Sequence, residues 1–134
     1  MAGYCKLNGI EFDVDVAIAS YKRKLSILHG ENVGRVQAGD MILDPVGAYL
    51  GREITFFRKG DNYQAIDALW DFLVAHSIDK EGVFLEAADG QSTISYQAYY
   101  GDTEQSIEEV RNGINYWGEF TVSFIPMKAQ VTPE

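Results

Sequence analysis

Apolar and polar positions alternate along most of this chain, and one stretch switches clearly to a helical period. In Tyr63–Ser77, the residues Ile66, Leu69, Trp70 and Leu73 recur at i, i+3, i+4 and i+7, which makes one apolar stripe. Asp61 with Gln64 reads as an acidic capping box at the helix start, and Asp67 and Asp71 fall on the outer face. If the stripe packs on a sheet with Trp70 as its anchor, Trp70→Ala is expected to cost about 3–5 kcal/mol.

The remaining pattern is strands and turns. Tyr4–Leu7 and Ile10–Phe12 flank Asn8-Gly9, a strong turn dipeptide, and predict a small hairpin or a bent first strand. Val16–Leu28 reads as a second extended region, with Tyr21, Arg23, Leu25 and Ile27 on one face and Lys22, Lys24 and Ser26 on the other. Val46–Arg58 is the longest strand pattern. Leu50, Ile54 and Phe56 point one way and Tyr49, Thr55 and Phe57 the other, so it is expected to be central or covered on both sides. Gly47 and Gly51 within it suggest a bulge or bend.

Val83–Ala88, Asp89-Gly90 and Gln91–Tyr100 predict a hairpin whose return strand sets Ile94, Tyr96, Ala98 and Tyr100 against Ser95, Gln97 and Tyr99. Residues 102–113 carry two signals. Ile107 and Val110 suit a helical turn, while Asn112-Gly113 suits a hairpin, and the reading adopted is strand, turn, strand. Phe120, Val122 and Phe124 predict the inward face of a last strand, with Thr121 and Ser123 outward and Pro126 as its end. Residues 127–134 read as a tail. The expected fold is mainly β (α+β): one domain over residues 1–126, a β-sandwich or half-open barrel with one flanking helix.

One segment fits none of these periods. From His29 to Asp44 the chain is polar and punctuated by Gly30, Gly34 and Gly39. A loop of this length exceeds the usual connection, which suggests function or disorder. Its best polar contact residues are Arg35 and Asp44.

Composition narrows the chemistry. Hydrophobic residues make up 46% and aromatics 13%, which argues for a packed core. The net charge of −9 opposes phosphate binding, and the one basic run, Lys22-Arg23-Lys24, splits between two strand faces. Cys5 is alone, so no internal disulfide is expected, and the first 15 residues have no apolar segment of a signal peptide. Neither His29 nor His76 has a ligand partner at zinc spacing. The glycines of the loop are followed by Arg35-Val36 rather than the Gly-Lys-Ser/Thr of a phosphate loop. Asp13 with Asp15, and Glu108 with Glu109, read as solvated surface acids. No catalytic residue, cofactor or metal is assigned. Tyr99-Tyr100 and Tyr116-Trp117 lie near strand ends, where sheet packing and interface contact compete as explanations.

Several short runs share an order with a known group. They are Lys6-Leu7-Asn8-Gly9, Ser20-Tyr21-Lys22, Gly34-Arg35, Gly39-Asp40-Met41-Ile42-Leu43-Asp44 and Arg52-Glu53-Ile54-Thr55-Phe56. After the helix come Tyr116-Trp117-Gly118-Glu119-Phe120 and Phe124-Ile125. In this order the chain resembles small tail structural proteins of siphophages and prophages of Gram-positive bacteria. It departs from them before the long strand, where Leu43-Asp44-Pro45 stands in place of an Arg-Asp pair. The resemblance implies a tail-tube-like fold with no enzymatic activity. It also implies self-association into rings, commonly hexameric, contacts with other tail proteins, and a place in the virion tail after assembly in the host cytoplasm.

On that basis the leading expectation is a non-enzymatic tail or baseplate subunit that joins copies through strand edges and the 29–44 loop. Gly34, Arg35, Gly39, Asp44, Tyr99, Tyr100 and Trp117 are its expected interface residues. Neither sequence-specific nucleic-acid binding nor membrane insertion is expected. Behind it stand a small-molecule-binding β-barrel module, a hydrolase or isomerase, and an acidic mimic of DNA. Tube subunit, distal adaptor and completion protein remain equally open.

Overall fold

A computed structural model describes residues 5–29, 34–35, 41–42 and 45–131. The fold is mostly β with one helix, and its main sheet curls into a half-barrel. The strands of that sheet are β1 (Cys5–Leu7), β2 (Asp15–Val16), β3 (Lys22–His29), β6 (Pro45–Phe57), β7 (Val83–Asp89), β8 (Ser92–Tyr100) and β11 (Phe120–Pro126). Their order is β1-β7-β8-β11-β6-β2, with β3 also on β6, and every pairing is antiparallel. Two short ribbons stand apart: β4 (Gly34–Arg35) with β5 (Met41–Ile42), and β9 (Ile107–Arg111) with β10 (Ile114–Trp117).

The helix α1 spans Tyr63–Ala75 and buries Ile66, Leu69 and Leu73. Its cap differs from the expected box. The Asn62 side chain accepts from the Ala65 N–H, while Asp61 turns outward to accept from Arg111 at 2.7 Å. Either residue can cap a helix, and the arginine across the ribbon draws Asp61 away. Trp70 is half-buried, with its ring edge-on to Phe120 at 5.5 Å, so the deep part of the stripe is aliphatic.

That stripe fills the concave face of the sheet. Ile54 and Phe56 from β6, Val83, Leu85 and Ala87 from β7, Tyr96 and Ala98 from β8, and Phe120, Val122 and Phe124 from β11 form one cluster with Leu7 and the helix. Period-two alternation puts these residues on one side and leaves the alternate ones, polar residues together with Phe84, Tyr99 and Ile125, on the convex side.

The last strand and the 83–100 hairpin match their sequence expectation. So does the strand–turn–strand reading of 102–113, where Asn112 and Gly113 both take positive φ, as a two-residue hairpin turn requires. Four readings need correction. Val16–Leu28 is not one extended region, because a 3-10 turn at Ile18–Ser20 separates β2 from β3. The Asn8-Gly9 turn forms as expected, with both residues at positive φ, but the hairpin stops at a single bridge, Leu7 to Ile10, and β1 pairs along its length with β7.

The third correction concerns Gly51, where the β3–β6 ladder stays in register; the expected bulge falls beside Gly47 alone, since Leu28 faces Gly47 and His29 faces Pro45, which leaves Val46 as the extra residue on β6. Those glycines serve close approach: a Cβ on Gly47 would sit 2.7 Å from the Ala129 Cβ. Fourth, the segment after Pro126 is no free tail up to Val131. It straps back onto β6, where Ala48 bridges Val131 and the Gln130 side chain bonds both the N–H and the carbonyl of Leu50.

Candidate assembly interface

The 29–44 segment connects β3 to β6, which pair antiparallel. These strands form a stem, in register from Lys22 opposite Glu53 to Leu28 opposite Gly47, with a shift before His29 meets Pro45. Within the segment, Gly34 pairs with Ile42 and Arg35 with Met41. Gly39 and Asp44 lie outside the described residues.

The stem overhangs the body of the sheet. β11 pairs only with Arg52–Phe56 of β6, whereas β3 pairs with Pro45–Glu53. The core-side face therefore continues along Leu50, Ala48, Leu25 and Ile27 past the end of the helix-covered core. Leu25 is 63% exposed, Ile27 56% and Val46 49%. Among the described residues, β3 pairs only with β6, so its outer edge is open.

The opposite side of the stem borders a groove lined by Leu28, Tyr49, Gly51, Tyr99, Ile125 and Met127. Gly51 has no side chain to fill it. With Leu25 and Ile27 on the other face, apolar side chains are exposed on both sides of the stem.

The seven expected interface residues fall in different places. Tyr99 lines the groove beside the stem. Gly34 and Arg35 form β4 and pair with β5. Tyr100 faces inward, with its hydroxyl donating to the Leu73 carbonyl and its ring edge-on to Phe124. Trp117 lies on the far side of α1, in a cleft with Trp70, Asp67, Asp71 and Gln105. Sequence reasoning missed Leu25, Ile27, Leu28, Val46, Ile125 and Met127. The alternation of Leu25 and Ile27 was legible, but their exposure depends on how far each neighbour runs along β6.

Titratable groups near the stem do structural work. Lys22 and Lys24 both hold Glu53, and Arg23 holds Asp89, so the basic run is paired within the chain. Hydrogen bonding from Lys24 keeps the Glu53 carboxyl below its usual range. Burial pushes the Cys5 thiol up to about 12, which leaves it inert as a nucleophile at neutral pH. His76 meets Asp79 three residues on, at the end of α1, where the His76 backbone N–H donates to the Phe72 carbonyl. No group of three or more His, Cys, Asp or Glu could hold a metal ion among the described residues. No helix there is long and apolar enough to cross a membrane.

Set against family models, curated proteins and solved structures, the chain matches none.

Proposed function

We propose that this chain is a non-enzymatic structural subunit that works by self-association, of the phage tail or baseplate kind its sequence resembles. The supporting observation is the overhanging β3–β6 stem, with an open strand edge and exposed Leu25 and Ile27 on a face that is elsewhere core. A monomer gains nothing from such a surface, and an unblocked edge invites another chain. A neighbouring copy that covers the stem would complete the half-barrel. A head-to-tail contact of this kind closes into a ring when its rotation permits.

Sedimentation velocity and negative-stain microscopy of the purified chain test this. Discrete rings are expected, and Leu25→Lys with Ile27→Lys should return a folded monomer. A wild-type chain that stays monomeric at the highest soluble concentration overturns the reading. Mass spectrometry of particles released on prophage induction tests the tail assignment, with peptides of this chain expected in the tail fraction. Their absence from intact tails would remove the phage part of the proposal.

A further inference from the structure

We propose that the cleft between α1 and the base of the β9–β10 ribbon binds a cationic side chain, an ammonium or guanidinium on an alkyl stem, presented by a protein partner. Asp67, Trp70, Asp71, Gln105 and Trp117 line it. Its walls are held in place. Trp70 is fixed edge-on against Phe120, and Gln105 donates to the Gly118 carbonyl at 2.7 Å. The β9–β10 ladder shifts between Tyr116 and Trp117 because Tyr116 faces Glu109 and Trp117 faces Ile107, which makes Glu108 on β9 the extra residue and leaves the alternation of β10 intact. Tyr116 consequently packs on Tyr63, while Trp117 enters the cleft.

Charge decides what the cleft accepts. Asp13, Glu53, Asp61, Asp89, Glu108 and Glu109 each have a basic partner within the chain. Asp67 and Asp71, one helical turn apart, have none among the described residues, and no Lys or Arg lines the cleft. Burial and the neighbouring Asp71 hold the Asp67 carboxyl above its usual range, which a bound cation would reverse. Indole faces attract cations, most strongly where water is partly excluded. A neutral sugar would stack equally well on two indoles but leave both carboxylates uncompensated. The inference does not depend on ring formation.

The test uses the indole N–H resonances of the full chain labelled with nitrogen-15. N-acetyl-arginine methylamide and N-acetyl-lysine methylamide should shift Trp70 and Trp117 in the millimolar range. The citrulline analogue, which is neutral and nearly the same shape, should bind at least about tenfold more weakly. Asp67→Asn with Asp71→Asn should weaken arginine binding to the same extent, with thermal unfolding checked for each variant. Equal shifts from citrulline, or none from either cation, overturn the proposal without touching the oligomeric state. Tighter binding of spermidine than of blocked arginine overturns the assignment to a protein side chain.

Discussion

Arg52 is charged, yet only 1% exposed. It lies on the core-side face of β6, between Leu50 and Ile54, where an aliphatic residue would satisfy the alternation. Its Nε donates to the Ala88 carbonyl, its Nη1 to Gly51 and its Nη2 to Asp89 at 2.8 Å. Tyr21 donates to the same Ala88 carbonyl. Arg52 thus clips the β7–β8 turn to the start of the hairpin stem. Arg52→Ala is expected to cost about 3–4 kcal/mol by urea unfolding, because it opens a cavity and orphans the acceptors. Arg52→Met should cost less, since the stem of the side chain stays packed.

The adjacent Glu53 gives a pH signature. Its folded carboxyl titrates lower than in the unfolded chain, chiefly through Lys24. Its contribution is therefore complete above the ordinary carboxylate range and is lost as pH falls through that range and below. Glu53→Gln should lower stability at neutral pH by roughly 1 kcal/mol or less. The difference from wild type should shrink on acidification. A difference that grows below the carboxylate range would show the ion pairs to be irrelevant.

At the scale of elements, the strap after Pro126 is the most delicate part. It holds β6 through one bridge and one glutamine, over a glycine with no room for a methyl group. Gly47→Ala should lift it, and hydrogen exchange at the Ala48 and Leu50 amides should speed up while the β7–β8 amides stay protected. Unchanged exchange at both amides would mean that the strap carries no load.

The strap also marks the limit of what the sequence made legible. Helix, hairpins and final strand were readable because periodicity is local, as Ile66-Leu69-Leu73 and Phe120-Val122-Phe124 illustrate. The strap was not, because Met127–Val131 has no period, and its place depends on Gly47, distant in sequence. The cap was missed for a similar reason. Asp61 and Asn62 are equivalent locally, and Arg111 decides between them from the far ribbon. Of the expected interface, Tyr99 borders the stem, while Tyr100 turned inward to reach Leu73. The sequence showed aromatic residues but could not say which strand ran past its neighbour.

At the scale of the molecule, two features pull in opposite directions. A net charge of −9 keeps copies apart, while the stem exposes Leu25, Ile27 and Leu28 beside an open edge. The Debye length shortens from about 30 Å at 0.01 M salt to about 8 Å at physiological strength, so salt weakens the repulsion and leaves apolar burial intact. Association through the stem should therefore strengthen as sodium chloride rises. An interface made mainly of ion pairs would weaken instead. Sedimentation equilibrium across a salt series separates the two. A dissociation constant that falls with salt, and a Leu25→Lys variant that stays monomeric throughout, are the expected results. Dissociation at high salt would move the contact from the apolar stem to the charged groups at its base, Lys22, Arg23 and Lys24, and the stem would then need another explanation.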